Sequence, residues 1–444
     1  MSHLRLLRLS VLLGAVGFHA AQAQTPAAPA TPAAAAAPAA GAPAAKPADT
    51  VRPDYAKIID PATIKQLVSA KNTAELQDRV TKAEAFANKT PFESYLLDRI
   101  KLQLGTLTNN EAMTMGALEA ISASGRLLPQ EQSEVYFALG GTYYNAKNYP
   151  RAIELFKRYE TSGGAQEKSR PILVRSYYLS GDYATAKTEL GAVVAEAEKA
   201  GKTPSLEDLR LLFSSAAKTQ DTTTYVATLE KLVKYYPSPE YWAELNNRLL
   251  GRKGIDERVL LDVLRLKQAT TKAMSAVEYT DLAELALGAG FPGEAKQALE
   301  AGYAAKVLGT GAGAAKQKQL LDKATRQAAD DAKTMASGEA GANKLKEGNG
   351  LVNLGHAYTT MGDYDKGIAL MEKGIAKGIS KHPDDYKLRL AVAYAKAGRK
   401  DDANKIFDSI KSNDGMGDIA RYWKLWFNQP TAVAAGPATT PAAQ

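Results

Sequence analysis

The sequence predicts an all-α protein, a right-handed α-solenoid of helix hairpins with disordered Ala/Pro-rich tails. A pattern of small and aromatic residues recurs every 34 residues in one part of the chain. Most other segments place apolar residues at helical spacing. No useful stretch alternates β-branched and polar residues, which is the pattern of a strand. A length of 444 residues allows two or three compact domains or one long array of repeats.

The N-terminal residues 1–23 have the pattern of a secretory signal peptide. Arg5 and Arg8 precede the apolar run Leu9–Phe18, which is too short to span a bilayer, and Ala21–Ala23 fits an A-x-A cleavage pattern. We expect cleavage after Ala23 and a periplasmic or secreted mature protein with no transmembrane segment. An uncleaved membrane anchor is the alternative.

Both ends of the expected mature chain are poor in large apolar side chains. Residues 24–50 consist almost entirely of Ala, Pro and Thr, and residues 429–444 have a similar composition. Proline breaks alanine helices, and such segments have little surface to bury. They are predicted to form a disordered linker and a disordered tail.

Composition excludes several classes of site. The chain has no cysteine, so it forms no disulfide, thiolate metal site or cysteine nucleophile. Its net charge of +8 becomes +6 when Arg5 and Arg8 are removed, and its charges are interspersed. Nucleic-acid binding is therefore not indicated.

The two clearest copies of the repeat are residues 135–156 and residues 171–190. Six positions match at a single offset of 34 residues, and Tyr149 matches Tyr183 in this way. Small residues such as Ala152 would let two helix backbones approach closely. We therefore expect each copy to be a pair of helices joined by a tight turn.

The same pattern returns in residues 350–410, where Tyr394 follows Tyr358 at a step of 36 residues, and it recurs more weakly in the middle of the chain. We predict an N-terminal helical array in residues 51–305. A C-terminal repeat pair with a capping helix is predicted in residues 350–428.

Short glycine turns connect the predicted helices. Ser180–Tyr183 reads S-G-D-Y and Met361–Tyr364 reads M-G-D-Y. Glycine can adopt the left-handed conformation that ends a helix, and the following aspartate can cap the next helix.

Residues 306–349 interrupt the array. This segment is polar and rich in Gly and Ala. Ala314–Met335 can form a helix, but that helix has few large apolar side chains to bury. The segment is predicted to be a polar helical insert or linker.

These segments resemble tetratricopeptide repeats, which share the pattern L-G-x2-Y…A-x3-F. The strong matches are residues 135–194 and 350–410, and degenerate helix pairs are expected to fill the remaining folded part. The resemblance implies stacked hairpins that bind a protein or peptide partner in a groove. Residues 251–270 and 289–313 are also similar to exported repeat proteins of Gram-negative bacteria, which implies no activity.

Signals of catalysis are weak. After signal removal His356 and His382 are the only histidines, and neither has a companion at metal-ligand spacing. Gly309, Gly311 and Gly313 follow no predicted strand, so they do not form a phosphate-binding loop. We predict a protein that is not an enzyme, with no catalytic residue, metal or cofactor.

The family resemblance also implies candidate partner-binding residues, because the first helix of each tetratricopeptide repeat lines the concave surface. Tyr and Arg are favoured at binding hot spots. The alternative is that Tyr144 and Tyr178 only pack against neighbouring helices. The implied positions are Phe137, Tyr144, Arg175, Tyr178, His356 and Thr359.

The predicted function is an exported, non-catalytic scaffold that binds a protein or peptide partner in the cell envelope. Two alternatives remain open. One is a glycan- or cell-wall-associated module, which the net positive charge and the flexible ends of the chain favour. The other is an enzyme whose site lies in the degenerate middle of the chain, where a catalytic fold would bring strands.

Overall fold

The computed structural model describes residues 49–252, 256–271 and 274–429, and all regular structure in these ranges is helical. The predicted signal peptide in residues 1–23, most of the linker and nearly all of the C-terminal tail lie outside the described residues. Among the helices of the described ranges, none combines the length and the apolar character needed to cross a bilayer.

The helices are numbered in chain order. They are α1 Pro53–Ile58, α2 Pro61–Ser69, α3 Thr73–Ala85, α4 Pro91–Leu107, α5 Glu111–Ala123, α6 Pro129–Asn145, α7 Tyr149–Thr161, α8 Gln166–Leu179, α9 Tyr183–Lys199, α10 Leu206–Lys218, α11 Thr222–Tyr235, α12 Pro239–Leu250, α13 Leu260–Thr270, α14 Ala276–Gly288, α15 Pro292–Ala304, α16 Ala314–Lys344, α17 Asn349–Thr360, α18 Tyr364–Lys377, α19 Pro383–Lys396, α20 Lys400–Ser409 and α21 Met416–Phe427.

The chain divides into two compact units between Ala186 and Lys187, inside α9. In the first unit one apolar core runs from Tyr55 on α1 through Leu104 on α4 to Leu155 on α7. Successive helices contribute to this core in sequence order, as expected of stacked helix hairpins.

The second unit has neighbouring apolar cores. One core joins Trp242 on α12 to Leu388 on α19 and Trp423 on α21. Another joins Leu282 on α14 to Leu299 on α15. The predicted fold class, an all-α protein built from helix hairpins, is confirmed.

Two hairpin turns have the conformation that their sequences predict. Gly181 and Gly362 have positive φ angles of 86° and 87°. The side chains of Asp182 and Asp363 then each accept a hydrogen bond from the backbone N–H three residues further on, at 3.1 and 3.2 Å. Glycine ends one helix because it can adopt a positive φ angle, and aspartate caps the next because its carboxylate accepts a hydrogen bond from a free backbone N–H of the first turn.

The hairpin of α17 and α18 has the close backbone approach expected of small residues. A Cβ atom at Gly355 would lie 2.5 Å from the carbonyl oxygen of Gly367. A Cβ atom at Gly367 would in turn lie 2.7 Å from the carbonyl oxygen of Gly355. Tyr358 is buried beside this crossing.

The helix predicted from Ala314 is longer than the sequence indicates, since α16 has 31 residues. It buries Ala324 in the core of α14 and α15, and it buries Met335 and Ala342 against α17 and α18. Few other side chains of α16 are buried. The division of this region into an insert between two arrays stays a prediction.

Candidate functional site

Helices α13, α15, α17, α18, α19 and α21 of the second unit surround a cavity of about 310 Å³. This volume is at the lower end of the range of ligand-binding sites in proteins. The charged and ionisable residues of its wall are Asp262, Arg265, Glu294, His356, Arg389 and Lys396, together with Tyr364.

The periodicity of α19 sets which of its residues face the cavity. Arg389, Val392, Ala393 and Lys396 all line the cavity and are spaced as i, i+3, i+4 and i+7, so they share one helix face. Tyr394 is buried on the side of the repeat core. The apolar pattern that folds this repeat therefore also places two cations together at the cavity.

Arg265 on α13 is the centre of a largely buried cluster of charges. Its guanidinium donates two hydrogen bonds of 2.6 Å to the Glu294 carboxylate and one of 2.6 Å to Asp262. The side chains of Arg265, Glu294 and Asp262 are only 11%, 14% and 7% exposed. These hydrogen bonds offset part of the cost of removing the three charges from water.

The pair of Arg265 and Glu294 remains ionised at neutral pH. Burial alone would raise the pKa of Glu294, but the charge and hydrogen bonds of Arg265 lower it well below its ordinary value. Burial alone would lower the pKa of Arg265, but the charges of Glu294 and Asp262 raise it. Each partner therefore stabilises the charged form of the other.

His356 on α17 completes this cluster. Its Nε2 lies 3.3 Å from Glu294 Oε2 and 3.3 Å from Arg265 Nη2. Burial lowers the pKa of His356, and the positive charge of Arg265 also lowers it, although Glu294 acts in the opposite direction. We therefore expect a neutral imidazole at pH 7.

The ring of Phe291 contacts two guanidinium groups. Its centroid lies 5.4 Å from Arg265 Cζ and 5.1 Å from Arg389 Cζ. His356 forms a T-shaped pair with the same ring at a centroid distance of 4.7 Å. Because an aromatic face attracts cations, this ring stabilises two like charges at the cavity wall.

Arg389 and Lys396 form no ion pair with any described residue. Arg389 donates a 2.8 Å hydrogen bond to Asn353 Oδ1, and its Nε is buried without a hydrogen-bond partner in the described ranges. Burial lowers the pKa of Arg389, and the nearby Arg265 lowers it further. Lys396 is accessible to water, but the surrounding cavity walls remove part of its solvation and lower its pKa.

A second cavity, of about 220 Å³, lies beside α21 and differs in its charge pairing. Arg421 at its wall bonds Glu230 at 2.8 Å and Asp418 at 2.8 Å. Lys424 bonds Asp408 at 2.7 Å. These cations already have carboxylate partners, in contrast to Arg389 and Lys396 at the first cavity.

Two of the six candidate binding residues that the family resemblance implies, His356 and Thr359, line the first cavity. His356 belongs to the charge cluster, and the Thr359 hydroxyl donates a 2.8 Å hydrogen bond to the His356 carbonyl oxygen. The structure therefore brings these two positions together. Their role in binding stays a prediction.

The other four implied positions lie in the first unit. Phe137 packs against two aromatic rings of α7 at centroid distances of 5.6 and 5.0 Å. Tyr144 and Tyr178 each form a T-shaped pair with the first tyrosine of the following helix, at 5.7 and 5.3 Å. Arg175 is half-buried on α8. Packing thus explains the positions of the three aromatic side chains, and their role in binding stays a prediction.

Sequence reasoning misses the two cations of α19, although a usable signal exists. Arg389 and Lys396 are seven residues apart in a predicted helix, which is about two turns and places them on one face. The pair of Arg265 and Glu294 has no comparable signal, because its members are 29 residues apart in a region where the repeat pattern is weak.

In the described ranges no group of three or more His, Asp and Glu is arranged to hold a metal ion.

Comparison with protein-family models identifies two of the hairpins at the cavity. Residues 349–376 match a model described as tetratricopeptide repeat, and residues 385–414 match another with the same description. The protein contains tetratricopeptide repeats. The two matched repeats correspond to the hairpins α17–α18 and α19–α20, so the family resemblance of residues 350–410 is confirmed.

Solved structures resemble the chain at low sequence identity. The structure of Naa15/Naa10 bound to HypK-THB is 16% identical over 78% of this chain, which spans only 51% of that chain, with a TM-score of 0.31. The TPR2AB-domain:pHSP90 complex of yeast Sti1 is 14% identical over 67% of this chain and 98% of that chain, with a TM-score of 0.23. The APC/C hetero-tetramer Cut9–Hcn1 is 12% identical over 84% of this chain and 96% of that chain, with a TM-score of 0.18. A comparison with curated proteins gives no match.

Proposed function

We propose that this protein is an exported, non-catalytic scaffold that binds a protein partner in the bacterial cell envelope. The observation that carries the proposal is the composition of the cavity wall. Two tetratricopeptide repeats present His356, Thr359 and Arg389 from their first helices to one concave site. Tetratricopeptide repeats generally act as protein-interaction scaffolds, and stacked helix pairs offer concave surfaces for such partners.

The hydrogen bonds of the cavity favour binding over catalysis. The His356 imidazole lies against Glu294 and Arg265, so it is not positioned beside a hydroxyl nucleophile. The hydroxyls of Thr359 and Thr360 both donate to the backbone carbonyl oxygen of His356 at 2.8 Å. A pair of nucleophile and general base requires a hydroxyl within hydrogen-bond reach of the base side chain.

Export is supported by the sequence alone. Residues 1–23 combine two arginines, a short apolar run and an A-x-A cleavage pattern. N-terminal sequencing of the protein recovered from the periplasm of a Gram-negative host tests this part of the proposal. We expect a mature chain that begins at Gln24, and an uncleaved chain in the cytosol would contradict export.

Partner binding can be tested by site-specific crosslinking in the periplasm. A photo-crosslinking amino acid replaces Gln297, which lines the cavity, or Gln327, which is exposed on α16 as a control. We expect a discrete protein adduct from position 297 that position 327 does not form. Identical adducts from both positions, or no protein adduct from position 297, would argue against a scaffold that binds through this cavity.

A cell-wall module would give a different result in a parallel assay. In that case the purified protein would sediment with cell-wall material in a salt-sensitive manner, and the position 297 adducts would contain glycan in place of protein. The polar and aromatic lining of the cavity, with Tyr364 and Trp423 beside its charges, is compatible with a peptide chain. We therefore favour the protein partner.

A further inference from the structure

The first unit presents the same pair of tyrosine rings twice. Tyr144 at the end of α6 packs against Tyr149 at the start of α7, and the two ring planes meet at 66°. Tyr178 at the end of α8 packs in the same way against Tyr183 at the start of α9, at 70°. All four rings are half-buried, so each pair also offers apolar surface to water. We call each pair of rings an aromatic corner.

The packing of the repeats sets the distance between the two aromatic corners. Helices α6 and α8 contact each other, and the axes of packed helices lie about 8–10 Å apart. Tyr178 follows Tyr144 by 34 residues, which is one repeat, so the two rings occupy equivalent places on these helices. A ligand that contacts both aromatic corners therefore needs apolar groups on one face, repeated about every 10 Å.

The linker before the first helix contains such a series of apolar groups. Pro26, Pro29 and Pro32 recur every three residues, with only Ala and Thr between them. A polyproline II helix has three residues per turn and a rise of about 3.1 Å per residue. Prolines at this interval would share one face and lie about 9.3 Å apart. Aromatic-lined grooves are a common binding site for segments of this conformation.

The linker is long enough to reach the aromatic corners of its own chain. Asp49, at the end of the linker, forms an ion pair with Arg126, which lies three residues before the start of α6. Tyr144 lies near the other end of α6, about 23 Å along the helix axis. Pro32 precedes Asp49 by 17 residues, and a coil of that length spans about 21–25 Å on average. No stretching of the linker is needed.

We propose that the linker docks on the first unit of its own chain as a polyproline II helix. Two successive prolines of the series Pro26, Pro29 and Pro32 fill the two aromatic corners. Proline has a fixed φ angle, so the segment loses little conformational entropy when it binds. The docked linker covers this surface, and a partner must carry a competing Pro-x-x-Pro segment to use it. This surface is separate from the cavity of the proposed function, which lies in the second unit.

Disulfide formation within the mature chain tests the docking, because the natural sequence has no cysteine. Ala28→Cys lies inside the proline series, and Lys147→Cys lies in the turn between α6 and α7 beside the first aromatic corner. Lys71→Cys, paired with the same Ala28→Cys, is the control. Lys147 and Lys71 are both exposed turn residues with positive φ angles of 60° and 51°.

The rates of disulfide formation in a glutathione buffer distinguish a docked linker from a free one. We expect the pair with position 147 to form at least about fivefold faster than the pair with position 71, because burial of proline rings favours the docked state. Equal rates, which a linker without a preferred site would give, would overturn the proposal.

Two further variants show whether the proline spacing and the rings cause the difference. Pro29→Ala combined with Ala30→Pro keeps the composition of the linker but moves one proline off the common face. Tyr178→Leu removes one ring and keeps an apolar side chain, and circular dichroism checks that it folds. Each change should lower the rate at position 147 toward that at position 71. If neither change lowers it, the aromatic corners do not recognise the proline series.

A linker from a second copy of the chain would give a different product. In that case a disulfide-linked dimer would appear on a non-reducing gel and increase with protein concentration, which would contradict docking within one chain.

A fluorescein-labelled peptide of residues 24–33 measures self-occupancy by fluorescence anisotropy. The peptide should bind the variant Pro29→Ala with Ala30→Pro at least about fivefold more tightly than the natural mature chain, whose own linker competes with it. Equal binding to both chains, or binding to neither, would show that the linker does not occupy this surface.

Discussion

Arg265 and Glu294 form a two-bond ion pair that joins α13 to α15 at the wall of the cavity, with both N–H···O distances at 2.6 Å. This geometry is bidentate, which fixes the relative orientation of the two side chains as well as their separation. Because α15 lies next to the two tetratricopeptide repeats, the pair sets the position of the wall that faces α19. The cavity therefore depends on an interaction outside the repeats that line it.

Glu294→Gln is expected to lower the free energy of unfolding by about 3 kcal/mol, the lower end of the range for breaking a buried ion pair. The glutamine amide keeps a hydrogen-bond acceptor, but the substitution removes the negative charge that stabilises Arg265. Asp262 remains as the other partner of Arg265. Tryptophan fluorescence in urea can report the loss, because all three tryptophans lie in the second unit. Glu284→Gln, at an exposed site on α14, is the control. An equal effect of the two variants would contradict the prediction.

The second unit is expected to lose stability as the pH falls from 7 to 5 because of His356. Its pKa lies below the 6.5 of an unperturbed histidine, since burial disfavours the imidazolium most strongly and the charges of Arg265 and Arg389 act in the same direction, while the hydrogen bond and charge of Glu294 only partly oppose them. The unfolded chain therefore takes up the proton first. The stabilisation is fully present above pH 6.5 and decreases as the pH falls toward the pKa of the folded state.

The pH dependence can be assigned by comparing His356→Gln with His382→Asn. His382 is exposed and has a left-handed backbone conformation with φ of 50°, which asparagine tolerates. Urea midpoints at pH 7 and pH 5 should converge in the first variant and remain apart in the second. Wild-type protein with the same midpoint at both pH values would show that His356 is not held neutral.

Glu93 is expected to make the first unit sensitive to stronger acid. This buried side chain accepts hydrogen bonds from the Arg52 guanidinium at 2.6 Å and from the Thr90 backbone at 2.8 Å. The bond from Arg52, opposed by burial, lowers the pKa of Glu93 from 4.5 to about 2. The resulting stabilisation is present above pH 4.5 and is lost as the pH falls through 2.

Glu93→Gln tests this assignment. It should lower the free energy of unfolding by about 2 kcal/mol at pH 7, which is typical of hydrogen bonds to a charged group. It should also reduce the change in the far-ultraviolet circular dichroism melting temperature between pH 4.5 and pH 2. Glu167→Gln is the control, because Glu167 is exposed in the first turn of α8. A steep acid dependence that persists in Glu93→Gln would show that other groups cause it.

The features that sequence predicts here are those with local causes. The turn at Gly362 and the start of α16 at Ala314 follow from residues next to each other in the chain, and both are found as predicted. The ion pair of Arg265 and Glu294 depends on α13 packing close to α15, although the two residues are 29 positions apart in the chain. No local sequence pattern predicts that packing. Tyr178 shows a further limit, because spacing alone does not distinguish a groove position from a contact with the next helix.

The close approach of Gly355 to Gly367 makes a final prediction about the first of the two matched repeats. Gly355→Ala would place a methyl group 2.5 Å from the Gly367 carbonyl oxygen, which is backbone and cannot rotate away. We expect the two helices to separate slightly and the free energy of unfolding to fall by about 2 kcal/mol, as in other overpacked cores.

Gly338→Ala provides the same substitution in a site without this constraint. Gly338 lies inside α16, and a Cβ atom there would have no neighbour within 4 Å. Alanine restricts the unfolded chain and favours the helix, so this variant should gain about 0.5–1 kcal/mol of stability. Opposite shifts of the urea midpoint in Gly355→Ala and Gly338→Ala are expected from tryptophan fluorescence. Shifts of the same sign in both variants would mean that close packing is not the reason for glycine at position 355.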